Sequence, residues 1–176
     1  GTASSLTVEE NMVLAMTRGA PRGLAPALRP SRRKAIVEAL GGLGMGLERR
    51  LHVPVAHLSG GQRQALAVLM ATIRSPRLLL LDEHTAALDP RAAETVLALT
   101  RQVVAERRLT TLMVTHNLKH ALTLGDRTLL MHEGRIMLDL AGEARRRMSI
   151  HDLVEAFRRA CGDSALDDEL ILSAAP

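Results

Sequence analysis

Aromatic side chains are nearly absent from this chain of 176 residues: tryptophan and tyrosine do not occur, and Phe157 stands alone. The row of stacking platforms on which single-stranded nucleic acid rests is therefore missing. Cysteine is as scarce. With Cys161 alone, an internal disulfide and a cysteine-based metal centre are both excluded, and a reducing setting fits. Lysine occurs only at positions 34 and 119, so arginine supplies nearly all of the 23 basic residues. No apolar run approaches the ~18 residues of a membrane span. The longest resemble Leu78 to Leu81, the length of a buried strand. No charged segment followed by an apolar stretch opens the chain, so no secretory signal is visible.

What remains is the composition of a soluble globular protein, 47% hydrophobic and 24% charged, long enough for a sizeable core. The net charge of +4 gathers in two stretches, Arg18, Arg22, Arg29, Arg32, Arg33 and Lys34, and then Arg145 to Arg147. Without aromatic platforms these stretches suit a solvated face, a membrane protein or anionic lipid better than nucleic acid.

The chain alternates helix and strand signals. Thr7 and Glu10 form a capping-box pattern ahead of a helix ending near Thr17. Prolines and glycines between Gly19 and Pro30 mark a loop. Ser31 is placed to cap a second helix that stops at Gly41-Gly42, and Leu47 to Leu51 reads as a short helix. Ser59 opens the next helix, whose Leu66, Leu69, Met70 and Ile73 fall on one apolar face. Leu78 to Leu81 reads as a strand buried on both faces, as in a parallel sheet. Asp89, with Pro90 at the first helical position, caps a helix whose core face includes Val96, Val103 and Val104. A strand over 110–115, a short helix over 118–124 closed by Gly125, and a hairpin around Glu133-Gly134 follow. Ser149 caps a last helix, and the acidic tail from 161 is expected to be loosely held. Strand alternating with helix from residue 78 onward indicates an α/β domain with a parallel sheet.

Four motifs carry chemistry. Leu58-Ser59-Gly60-Gly61-Gln62 is a glycine turn opening a helix, where free N–H groups and the helix dipole attract phosphate. A plain turn with Ser59 as N-cap is its bland reading. Asp82 and Glu83 end the leucine strand, which delivers two carboxylates to the crevice where ligands of open α/β sheets bind. Ala87-Leu88-Asp89-Pro90 and Thr115-His116-Asn117 follow. His116 and His120 stand four apart, a spacing also seen in zinc sites, though no third ligand supports that here.

In this order the motifs resemble the signature motif, Walker B motif, D-loop and switch-histidine loop of ATP-binding cassette (ABC) ATPases. The resemblance implies a P-loop NTPase-like cassette with an incomplete parallel sheet and a helical signature subdomain. It implies ATP and Mg²⁺ as cofactors. Ser59, Gly60, Gly61 and Gln62 would meet the γ-phosphate of ATP held by an opposite subunit, and Asp82 would hold the metal. Glu83 would orient the attacking water, His116 would sense the γ-phosphate, and Asp89 would lie across the dimer contact. The implied divisions are a helical subdomain over 1–75, an α/β core over 76–145, and a C-terminal helix and tail over 146–176.

The family's phosphate-binding loop, G-x-x-x-x-G-K-[ST], is not in these residues. Gly41 and Gly46 have its glycine spacing, but Leu47 and Glu48 stand where Lys and Ser/Thr are needed. The chain therefore reads as the C-terminal portion of a nucleotide-binding subunit, inactive by itself. The subunit would work on the inner face of the cell membrane with a second ATPase subunit, a transmembrane permease and a solute-binding protein. Importers of small organic solutes are the nearest resemblance. A soluble ABC-type ATPase of translation or DNA maintenance, and a fragment that only completes a partner's ATP site, are the alternatives.

Overall fold

The computed structural model describes residues 1–19 and 29–161. The expectations placed on 20–28 and 162–176 lie outside the described residues. The chain divides into two compact units, Gly1–Leu112 and Met113–Pro176.

The first unit begins with helix α1 (Val8–Thr17), which starts at the expected cap. Thr7 Oγ1 accepts from Glu10 N–H at 3.2 Å, and Glu10 Oε2 accepts from Thr7 N–H at 2.8 Å. The next two amides of α1, those of Val8 and Glu9, donate to the carbonyls of Val53 and Leu51, so the helix start is fixed to a distant segment. Asn11 is fully buried and holds the chain before α1 by exchanging hydrogen bonds with the Ala3 backbone. Helix α2 (Pro30–Gly41) starts two residues earlier than the Ser31 cap implies. Arg29 is its N-cap, and no side-chain cap is present. Pro30 at the first helical position, with its φ preset and no N–H to satisfy, makes a side-chain cap less necessary. Leu47–Arg49 is a single 3₁₀ turn, and a second one covers Val55–His57.

Helix α3 (Gly60–Thr72) packs its apolar face, Leu66, Leu69 and Met70, against Val8, Met12, Ile36, Leu40 and Leu47. Its other side meets α4 (Pro90–Arg107), where Ala65 packs with Leu99 and Val103. Asp89 caps α4 as expected, accepting from Ala92 N–H at 3.0 Å.

Between these helices runs β1 (Leu78–Asp82), which with β2 (Thr110–Val114) forms a two-stranded parallel sheet joined through α4. The expectation of burial on both faces is corrected here. Leu79 and Leu81 are buried, but Leu78 is 51% and Leu80 64% exposed, and Leu112 and Val114 of β2 are exposed too. The strand alternates because only one of its faces is covered among the described residues.

In the second unit β3 (Arg127–His132) and β4 (Arg135–Ala141) form the expected antiparallel hairpin. Glu133 and Gly134 both have positive φ, the geometry a two-residue hairpin turn requires. Helix α5 (Leu118–Thr123) is capped by Asn117. Helix α6 (Gly142–Arg147) is short and was not expected from the sequence. Helix α7 (Ile150–Cys161) starts at a Ser149–Asp152 capping box. Phe157 of α7 is buried, its ring edge-on to His132 at 5.9 Å. The basic stretch at 145–147 is also corrected. Arg145 is buried and donates to Thr128 Oγ1 (2.8 Å) and to the carbonyls of Ala121 (3.2 Å) and Leu124 (2.7 Å). Only Arg146 and Arg147 face solvent, both paired with Glu143.

Candidate functional site

The start of α3 is held by a reciprocal cap. Ser59 Oγ accepts from Gln62 N–H at 3.2 Å, and Gln62 Oε1 accepts from Ser59 N–H at 3.3 Å. The Gln62 amide also donates to the Met45 carbonyl at 3.2 Å, so its side chain is committed within the chain. Ser59 and Gly60 are exposed, and the hydroxyl proton of Ser59 is not consumed by the cap. The cap and an anion-facing helix end are therefore compatible at one residue.

The two glycines have a second reason to be there. A Cβ on Gly61 would lie 3.1 Å from Ala92 Cβ, and one on Gly60 would lie 3.0 Å from Leu88 Cδ2. The start of α3 thus approaches the Leu88–Ala92 stretch, the end of the loop after β1 and the first turn of α4, as closely as a residue without Cβ allows. That contact cannot be read from the motif itself.

Asp82 is the last residue of β1, and Glu83 is the first beyond it; both are exposed. Glu83 has φ +41°, the left-handed region a glutamate seldom occupies. The chain turns sharply there. Ala86 N–H donates to the Glu83 carbonyl at 3.0 Å and Leu88 N–H to the Thr85 carbonyl at 3.2 Å, delivering Asp89 to the start of α4. His84 is half-buried, its Nε2 3.2 Å from Thr100 Oγ1 on α4. No sequence signal beyond its departure from the family's frequent proline or alanine singles it out.

Asp82 offers a hard oxygen ligand at a strand end. Among the described residues no three His, Cys, Asp or Glu side chains gather into a metal cage. This donor set fits a cation such as Mg²⁺ that keeps most of its waters, and does not fit zinc. The pairing of His116 with His120 on one helix face is not found. His116 lies before α5, in the turn where Asn117 N–H donates to Thr115 Oγ1 at 3.1 Å. His120 lies within α5; burial first, then the charges of Lys119 and His116, pull its imidazole below its ordinary pKa. His116 belongs to the second unit, while Ser59, Gly60, Gly61, Gln62, Asp82, Glu83 and Asp89 share the first.

Away from these motifs, Glu9 is buried with Arg33 Nε at 3.3 Å and His52 Nδ1 at 3.8 Å. One arginine of the first basic stretch is thereby committed to a carboxylate.

Residues 2–86 match the ABC transporter family model. A tyrosine transport ATP-binding protein of Clostridioides difficile is 43% identical over 160 residues, covering 91% of this chain and 63% of that protein. The thiamine import ATP-binding protein ThiQ of Yersinia pestis is 43% identical over 134 residues, covering 76% of this chain and 53% of ThiQ. An aliphatic sulfonates import ATP-binding protein, SsuB 1 of Burkholderia cenocepacia, is 40% identical over 135 residues, covering 77% of this chain and 38% of its own length. The chain thus spans less than two thirds of these curated relatives. Its fold superimposes on that of a metal-chelate type ABC transporter in an inward-facing conformation, with TM-score 0.71 at 23% identity, covering 90% of this chain and 61% of that one. With the signature-like turn, the strand ending in two carboxylates and the capped loop after it in the same order, residues 2–86 belong to the ABC transporter family and the chain is homologous to ABC transporter ATP-binding proteins.

Proposed function

We propose that this chain is part of the ATP-hydrolysing subunit of an ABC importer for a small organic solute. The relatives named for tyrosine, thiamine and sulfonate transport support the importer reading. The observation that carries the catalytic reading is the turn at Glu83. A strand covered on one face ends at Asp82, and a left-handed residue then sets a second carboxylate beside the first at the head of a capped loop.

Bound Mg·ATP supplies the transferable phosphoryl group and the metal charge that offsets its oxygens. Asp82 holds the metal through oxygen and water. Glu83 accepts a hydrogen bond from the attacking water and orients it, positioning being most of what a protein contributes to phosphoryl transfer. Ser59 and the amides of Gly60 and Gly61 donate toward phosphate oxygens of a nucleotide on an opposite subunit. Asp89 fixes the loop at the dimer contact, and His116 senses the γ-phosphate. The division at 1–75, 76–145 and 146–176 follows the same assignment.

The partners are a second ATPase subunit, a permease and a solute-binding protein, at the inner face of the membrane. No helix among the described residues is long and apolar enough to cross a membrane itself. The 176 residues alone, in which G-x-x-x-x-G-K-[ST] does not occur, do not turn over ATP. The test is steady-state ATP turnover of the native transporter with and without Glu83→Gln. Loss of turnover with nucleotide binding retained supports the reading; turnover unchanged by the substitution overturns it.

A further inference from the structure

We infer that His84 and Thr100 form a positioning pair that holds the backbone turn at Glu83. The inference rests on the catalytic reading of Glu83 given above. It starts from a directional hydrogen bond. Thr100 Oγ1 donates to the Val96 carbonyl at 2.8 Å, one turn back on α4. Its single proton is used there, so toward His84 Nε2, 3.2 Å away, the hydroxyl oxygen accepts. His84 therefore carries its proton on Nε2 and donates it to α4.

Thr100 is buried in the middle of α4, which is packed against α3. That makes it a rigid anchor. Glu83, one residue before His84, has φ +41° and is followed by a turn closed through its own carbonyl. A left-handed glutamate persists only where its surroundings over-determine the conformation. The closed turn constrains Glu83 from one side, and the imidazole tied to α4 constrains the next residue from the other. The direction in which the carboxylate leaves the strand is then set by α4 through His84. Neither His84 nor Thr100 is assigned contact with nucleotide.

The pair is tested in the native transporter with His84→Ala, Thr100→Val, the double variant and Thr100→Ser. Thr100→Val keeps the shape of the side chain and removes the acceptor; Thr100→Ser keeps the hydroxyl. His84→Ala and Thr100→Val are each expected to lower kcat about fivefold, the worth of one net hydrogen bond, with KM for ATP unchanged. The double variant should lose no more than either single one, and Thr100→Ser should retain turnover. In the nucleotide-free protein, imidazole ¹⁵N signals should show His84 protonated on Nε2 in the parent and in Thr100→Ser, and a tautomer mixture in Thr100→Val. Full kcat in Thr100→Val, or losses that add in the double variant, overturns the pair. If Glu83→Gln also leaves turnover intact, the catalytic reading has failed instead. If Glu83→Gln abolishes turnover while the His84 and Thr100 variants do nothing, only the positioning inference has failed.

Discussion

Ser59 has two roles whose energetic signatures can be pulled apart by substitution. As N-cap of α3 it accepts from the Gln62 amide at 3.2 Å and anchors the return hydrogen bond from its own amide to Gln62 Oε1. Ser59→Ala orphans the Gln62 amide and loosens the return bond, at about 1 kcal/mol of stability. Ser59→Asp places a carboxylate at the same cap, one of the preferred N-cap side chains, and its charge at the positive end of a 13-residue helix adds about 0.3–1 kcal/mol. Urea unfolding midpoints at constant slope should therefore rank Asp at or above Ser, with Ala lowest.

Turnover should rank differently. If Ser59 faces a phosphate, the aspartate sets like charges against each other. Two unit charges about 4 Å apart repel by about 4 kcal/mol at an effective dielectric of about 20. That corresponds to about three orders of magnitude in rate. Ser59→Ala loses one donor and part of the cap, so it should fall between parent and Ser59→Asp. Measured together in the native transporter, stability and turnover should give opposite orders for Ala and Asp. Turnover in Ser59→Asp near that of the parent would mean that Ser59 is a cap and no more, and the phosphate-facing role given to this helix end would have to be dropped.

Gly61→Ala must push Ala92 away from 3.1 Å, both atoms being held on packed helices, and should cost about 1–3 kcal/mol despite the better helix propensity of alanine; Gly60→Ala meets only the movable end of Leu88 and should be near neutral in thermal unfolding. Glu83→Gly relieves the left-handed strain at φ +41° and should raise stability by about 1 kcal/mol while abolishing ATP turnover, whereas a fall in stability would show that the turn is not strained. Arg145→Leu leaves Thr128 and two helix-end carbonyls short of a buried donor and should cost about 2–4 kcal/mol, against under about 0.5 kcal/mol for Arg146→Ala on the surface, both read by urea unfolding. The Asp152 carboxyl is held below its ordinary range, first by the Ser149 hydroxyl and then by the Ser149 amide. Because the folded form favours the carboxylate, its contribution to the start of α7 is complete above the unfolded pKa and is lost as pH falls through the folded one. Its ¹³C carboxyl titration should move up in Ser149→Ala, toward but short of that of free aspartate, because the amide of residue 149 still donates to it.

The features legible from sequence were those whose cause is local. Thr7 with Glu10, Asp89 with Pro90 and Ser149 each announce a helix start through a side chain that reaches only three residues, and all three caps are present. The hairpin is legible because Glu133-Gly134 must occupy positive φ. Ser31 lost its cap to a neighbour, Pro30, but the other failures have a non-local cause. Four consecutive leucines at 78–81 do not say how many faces of the strand are covered, and that depends on what lies above and below. Arg145 looks like its two neighbours in sequence, yet the carbonyls that bury it come from α5, some twenty residues earlier. His84 draws attention only through the residue it replaces, and the hydroxyl that gives it a role is sixteen positions on.

The glycines of the signature-like turn show why a motif and its chemistry are not in one-to-one correspondence. Anion approach and helix approach both forbid a Cβ, so Ser59-Gly60-Gly61 is compatible with either cause acting alone. The structure supplies the second cause independently, through Leu88 and Ala92. It also ties the two together, because Leu88 and Ala92 flank Asp89, the cap of α4. A substitution at Gly61 that displaces Ala92 must disturb the helix turn through which Asp89 is held. The signature-like turn and the Asp89 loop are therefore mechanically joined within one chain. Effects of Gly61 variants on turnover must be corrected for the Asp89 cap before any share is assigned to phosphate binding.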